Sequence, residues 1–325
     1  MPYLIGTDEA GYGPNLGPLV IAGTVWHIQD SGQDLDLYHR LAATITRDPS
    51  TVTEHNQFAV ADSKALYQTS KGPRLLERAL LSCLKLLDKR PESWQSLWDD
   101  LAPHSKPARD MLPWYRSFNC DLPLACEAEE ITRLANSLHH TCDAAGVHLL
   151  DVSSTAVFPG PFNDLVDTYG NKSTLLSQTT LSLVKQLMID SDWSTSHEPL
   201  FIACDKHGGR KRYGALLQQT FPEYLVEILG ERSAESIYRW GPENQRVEIR
   251  FQARGESFLP TALASMTAKY LRETAMIAFN AFWCERKIGL RPTAGYPTDA
   301  KRFRAEIETA RQQLNVGERE LWRAR

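Results

Sequence analysis

A first apolar run, residues 3–7, reads as a short strand that stops at Asp8, and a second, residues 19–27, reads as its neighbour. Between them Gly11, Gly13 and Gly17 alternate with Pro14 and Pro18, a composition that calls for a tight turn and leaves room for close approach of a ligand. Apolar residues then recur at helical spacing over residues 35–45 and 74–87, each fitting a surface helix packed on a sheet. No period persists from residue 91 to 123, where Trp94, Trp98, Trp114 and Tyr115 can either pack in a core or stack on bases. Residues 126–145 read as a helix and 147–152 as a strand. After the Pro- and Gly-rich stretch 158–170, residues 172–188 read as a helix. Residues 200–204 form a strand whose end delivers Asp205, and 259–283 form a long helix with small and apolar residues on its inner side. This alternation predicts a mixed α/β layer. It divides into an N-terminal part at 1–69, an insertion or diverged helical subdomain at 70–162, and the remainder of the core with a helical region at 163–325.

The 36 Lys and Arg against 40 Asp and Glu give a net charge of −4, which argues against a bulk-basic nucleic-acid coat. With 42% apolar and 23% charged residues, the 325-residue chain can build a sizeable core, as about two domains or one with large insertions. The six cysteines form no CxxC pair, which disfavours a thiolate zinc module. No apolar run approaches the roughly 20 residues that span a bilayer, and no signal-like segment opens the chain. The expectation is a cytoplasmic protein with reduced cysteines, no membrane association and no required protein partner.

Chemistry concentrates where strands end in acids. Asp8 and Glu9 close the first strand ahead of Gly11-Tyr12-Gly13. Neighbouring strand residues face opposite sides of a sheet, so the two share a site only if the chain bends or their carboxylates approach from two sides. Asp205 leads into Lys206-His207-Gly208-Gly209-Arg210-Lys211-Arg212, a basic stretch suited to phosphate or simply to solvent. Glu256 precedes the long helix, where it can equally face the positive helix end. If the strands of Asp8 and Asp205 are neighbours, the carboxylates can converge with Glu256. Such a cluster raises its own pKa values unless cations neutralise it, and oxygen donors suit Mg²⁺ or Mn²⁺. Other chemistries lack their signatures: there is no HExxH, no GxSxG and no GxxxxGK[ST], and Ser63-Lys64 lacks the SxxK spacing.

The run Gly6-Thr7-Asp8-Glu9-Ala10-Gly11-Tyr12-Gly13-Pro14, continued by Leu16-Gly17-Pro18-Leu19-Val20, resembles the opening motif of type 2 ribonucleases H, the ribonuclease HII family. Further segments agree in order: Asp62-Ser63-Lys64, Asp205 at a strand end, Gly255-Glu256-Ser257 with Pro260, Ala264-Ser265 and Ala268-Lys269, and Gly295-Tyr296-Pro297-Thr298. The resemblance implies an RNase H-like mixed sheet with surrounding helices and a large inserted region. It implies a divalent-metal endonuclease that cuts 5′ to ribonucleotides in RNA–DNA hybrid or ribonucleotide-containing duplex DNA and leaves a 3′-hydroxyl. Asp8, Glu9, Asp205 and Glu256 would be catalytic and hold Mg²⁺ or Mn²⁺, as two ions with substrate bound. Gly11, Tyr12, Gly13, Lys64, Lys206, Arg210 and Tyr296 would contact the substrate, with Lys64 near phosphate and Tyr296 against the sugar, where the 2′-hydroxyl distinguishes RNA from DNA.

The chain departs from the family twice. Tyr12 stands where the family has an arginine, replacing a fixed cation with a neutral ring; Arg254, Lys206, Arg210, Lys211 and Arg212 are the candidates to restore the charge. Glu256 stands where the family has Asp, moving the carboxylate by on the order of 1 Å. These departures keep two alternatives open: a structure-selective DNA nuclease of the same fold, and a catalytically inactive nucleic-acid-binding homologue.

Overall fold

The computed structural model describes residues 2–29, 34–52, 56–67, 72–253 and 255–324, with only the backbone at Glu256. Seven strands make the main sheet: β1 (Tyr3–Ala10), β2 (Leu19–Ile28), β3 (Val147–Val157), β4 (Leu200–Asp205), β5 (Glu227–Glu231), β6 (Glu235–Trp240) and β7 (Val247–Gln252). Their spatial order is β3-β2-β1-β4-β7-β6-β5. β2 runs antiparallel to β1 and β3, β1 parallel to β4, and β4 parallel to β7. The outer pairs β7–β6 and β6–β5 are antiparallel. This is the mixed sheet expected from the sequence, extended at one edge by the β5–β6 hairpin.

The helices that matter below are α1 (Ser63–Leu66), α2 (Arg74–Leu86), α3 (Ala128–Ala145), α4 (Pro159–Tyr169), α5 (Lys172–Asp190), α6 (Leu259–Arg286), α7 (Pro297–Gln313) and α8 (Glu318–Leu321). α6 packs on one face of β1 and β2, and α5 on the other face of β2. Alternation along the strands divides the core accordingly. Leu4, Val20, Ala22 and Trp26 point to the α6 side, while Ile5, Leu19, Ile21 and Val25 point to the α5 side. Both faces of β2 are therefore covered, which explains its nearly unbroken apolar sequence.

Glycine permits close contact on both faces. A Cβ at Gly6 would lie 2.1 Å from the backbone of Pro260 and Thr261, and one at Gly23 would lie 2.5 Å from Leu187 of α5. The first turn of α6 is then fixed by two hydroxyls: Thr24 donates to the Pro260 carbonyl at 2.9 Å, and Thr261 donates to the Ala203 carbonyl at 3.1 Å.

Several elements differ from the sequence reading. Residues 35–45 make only one helical turn, Leu37–Arg40, before Ile45–Thr46 pairs with Phe58–Ala59. Leu37, Tyr38, Leu41 and Ile45 still bury together, so the periodicity was satisfied without a continuous helix. The Pro-rich stretch 158–170 contains α4. Pro159 and Pro161 lie in its first turn, where a missing N–H breaks no helical bond, and Gly170 closes it at φ 77°. The expected insertion at 70–162 also narrows. Its last part is β3, paired along the length of β2, and α2 and α3 bury residues in the same core as β1. Trp94, Trp98, Trp114 and Tyr115 are buried, and their rings pack against one another or against Phe158 and Phe279, which decides for packing over base stacking. No helix among the described residues is long and apolar enough to cross a membrane.

Candidate metal and nucleic-acid site

The parallel pairing of β1 with β4 runs to Thr7 opposite Cys204, so Asp8 and Asp205 follow side by side at the strand ends. Both lie on the α6 side by alternation. Glu9 has the opposite parity, yet it lies close to where β1 ends and can reach round the rim of the sheet. One carboxylate oxygen from each of Asp8, Glu9 and Asp205 lies within 4.8 Å of the others. The two-sided approach, rather than a bend in the strand, brings adjacent acids together: β1 stays paired with β2 through Ala10.

The electrostatics of this cluster follow from burial. The Asp8 carboxyl is held well above its ordinary pKa, first by burial and then by the charges of Glu9 and Asp205, with hydrogen bonds from Ser265 and the Glu9 N–H opposing the rise. Asp205 is raised by burial, against hydrogen bonds from the Gly255 and Lys206 amides and the nearby positive charge of Lys64. Three anionic oxygen groups confined in this way favour a hard divalent cation, and the donor set fits Mg²⁺ or Mn²⁺ rather than a soft metal.

The segments around the acids are held by short polar contacts. Asp62 caps α1 by accepting from the Lys64 N–H at 2.9 Å, which sets Lys64 where its charge acts on Asp205. The Ser63 and Ser265 hydroxyls, 3.0 Å apart, tie α1 to α6. The Gly255 N–H points to Asp205 at 3.4 Å, so the backbone carrying Glu256 passes directly beside the cluster. The Glu256 side chain and all of Arg254 lie outside the described residues.

Gly11, Tyr12 and Gly13 follow β1 and adjoin Tyr296. The Asn15 N–H donates to the Gly295 carbonyl at 2.8 Å, and a Cβ on Gly13 would come within 3.8 Å of the Tyr296 ring. Tyr296 itself is 58% exposed at the start of α7, available to a ligand. Tyr12 is half-buried, and its phenol is raised in pKa by burial and by Glu9. The Lys172 ammonium sits 4.5 Å over its ring, and the charge of Arg210 acts on its hydroxyl.

Among the candidates for restored charge, the structure therefore brings Arg210 to Tyr12, together with a lysine that the sequence reading missed. Lys172 is the first residue of α5, where a cation opposes the helix dipole. That mismatch was the available signal. Arg210 also donates to Thr174 on the same helix at 2.8 Å. Lys206 is placed differently from expectation. It is buried, and its ammonium donates to the Arg232 carbonyl at 2.8 Å, the Ser236 hydroxyl at 3.1 Å and the Arg210 carbonyl at 3.4 Å. With three donors directed into the protein, Lys206 shapes the loop and has none left for a phosphate. Arg212 is exposed and lies 3.7 Å from Glu231.

No protein-family model matches the chain, and no curated protein matches it in sequence. Solved structures with partial likeness include the ribonuclease H2 of Pyrococcus horikoshii OT3, at 16% identity and TM-score 0.44, covering 98% of this chain and 92% of that one. The PCNA:RNase HII complex from Archaeoglobus fulgidus matches at 14% identity and TM-score 0.39, covering 99% and 94%. Bst-RNase HIII in complex with Mn²⁺ matches at 15% identity and TM-score 0.43, covering 99% of this chain but 65% of that one.

Proposed function

We propose that this chain is a divalent-metal-dependent endonuclease that hydrolyses the phosphodiester 5′ to a ribonucleotide in RNA–DNA hybrid or ribonucleotide-containing duplex DNA. The observation that carries this reading is the convergence of Asp8, Glu9 and Asp205 within 4.8 Å at the ends of two parallel strands. Asp8, Glu9 and Asp205 would hold the cation, with Glu256 approaching from the segment beside Asp205. A bound divalent cation supplies Lewis-acid stabilisation of phosphate oxygens and lowers the pKa of water. Lys64 would meet the phosphate next to Asp205, offsetting charge locally in a chain that is acidic overall.

The Gly11–Gly13 turn lies against the exposed Tyr296 ring. Together they would receive the ribose, whose 2′-hydroxyl offers a donor and an acceptor that DNA lacks. Lys172 and Arg210, gathered around Tyr12, would provide the cationic contact that Tyr12 cannot.

The test is a set of duplexes carrying one ribonucleotide, four ribonucleotides, one all-RNA strand or only DNA, incubated with Mg²⁺ or Mn²⁺. Cleavage of the first three at the 5′ side of a ribonucleotide, leaving a 3′-hydroxyl, is expected, and the all-DNA duplex should stay intact. Cleavage of branched or single-stranded DNA without any ribonucleotide would instead indicate a structure-selective nuclease. Tight duplex binding with no cleavage in either metal would indicate a binding protein.

A further inference from the structure

Two arginines lie buried beneath the glycine turn, Arg272 of α6 at 3% exposure and Arg323, just after α8, at 1%. Neither forms an ion pair among the described residues, although burying a guanidinium without an anion is costly. Their partners are backbone carbonyls. Arg323 donates through Nη2 to the carbonyls of Gly11, at 2.6 Å, and Pro14. Arg272 donates through Nη2 to those of Leu16, at 3.3 Å, and Ala294, at 3.1 Å. The Arg323 main chain adds a reciprocal pair with Asn15: its N–H donates to the Asn15 carbonyl at 2.9 Å, and the Asn15 amide donates back to the Arg323 carbonyl at 3.1 Å.

We infer that the segment 318–324 is a clamp that fixes the Gly11–Gly17 turn for substrate, with Arg323 as its positioning residue; this rests on the function proposed above. The turn needs such a device. Gly11 and Gly17 adopt φ of 94° and 78°, and glycines lose the most backbone freedom when ordered. Tying the Gly11 carbonyl inward also orients the rest of its own peptide group, which carries the Tyr12 N–H. In a trans peptide the N–H opposes the C=O, so the Tyr12 N–H is turned away from Arg323, where a ligand can meet it.

The clamp is itself anchored by a buried asparagine on α4. Asn163 donates to the carbonyls of Arg319 at 3.0 Å and Trp322 at 2.8 Å, and accepts from the Ala324 N–H at 2.6 Å. The Arg323 guanidinium lies 4.9 Å over the Phe162 ring. Burial and the neighbouring Arg272 lower the Arg323 pKa to about 9, which leaves it cationic at neutral pH. None of these contacts touches Asp8, Glu9 or Asp205, so the clamp should govern how the duplex is received rather than how the cation is held.

The experiment compares wild type with Arg323→Ala, Arg323→Lys and Asn163→Ala, using amide hydrogen exchange across residues 11–17 and steady-state cleavage of a one-ribonucleotide duplex. Faster exchange in residues 11–17 is expected in all three, with KM raised about tenfold in Arg323→Ala through lost preorganisation and kcat held within about threefold. Arg323→Lys keeps the charge but shortens the side chain, drawing the donor back from the Gly11 and Pro14 carbonyls, and Asn163→Ala loosens the segment without touching the arginine. Both report on the clamp if Arg323→Ala fails to fold. Unchanged exchange in residues 11–17 would overturn the inference whatever happens to KM. If wild type cleaves no duplex, the proposed function fails, while the exchange comparison still decides whether the clamp exists.

Discussion

Asp8→Asn is expected to lower kcat for ribonucleotide-containing duplex by roughly 10³-fold while making the metal-free protein more stable, by on the order of 1 kcal/mol. Asn retains the shape of the side chain but removes the charge that burial, Glu9 and Asp205 all oppose. The two effects share one cause: a carboxylate that is unfavourable alone and useful with a cation. The pH dependence follows with a definite sign. The folded-state pKa of Asp8 lies above its unfolded value, so the folded protein binds more protons in that interval. The contribution to stability is fully present below the unfolded pKa and is lost as pH rises through the folded one. Urea unfolding in chelator should therefore show wild type losing stability across that window and Asp8→Asn losing less. A variant that cleaves like wild type, or is less stable without metal, would remove the electrostatic basis of the site.

Gly6→Ala is expected to cost about 3 kcal/mol or more, because the new Cβ would overlap backbone rather than a side chain able to turn aside. Strand and helix must separate, and α6 carries Ser265 and begins directly after the Glu256 segment, so activity per folded molecule should fall as well. Gly230→Ala is the matched control. Nothing lies within 4 Å of its added methyl group, and it sits on the edge strand β5. Equal stability losses in the two variants would contradict the packing argument.

The sequence made the strand ends readable because an apolar run that stops in an acid has one periodicity and one break. It could not show how Asp8 and Glu9 meet, since alternation separates them and only their position at the rim reunites them. Lys206 looked like a phosphate ligand because its partners, Arg232 and Ser236, come from the hairpin that follows and no local pattern announces them. Arg323 was missed for the same reason: it reaches Gly11 across 312 positions of sequence. Lys172 left a weak mark, as a cation at the wrong end of a helix. The Pro- and Gly-rich composition of 158–170 conceals α4, because prolines at 159 and 161 are compatible with a helix only in its first turn.

The most direct measurement of the central claim is the titration of Mn²⁺ into the protein, followed by electron paramagnetic resonance, for wild type beside Asp8→Asn and Asp205→Asn. Saturable binding that is lost or weakened at least about tenfold in both variants is predicted, as expected when a charged oxygen donor is removed. Binding unaffected by either substitution, or no binding by folded wild type in the presence of a ribonucleotide-containing duplex, would contradict the account.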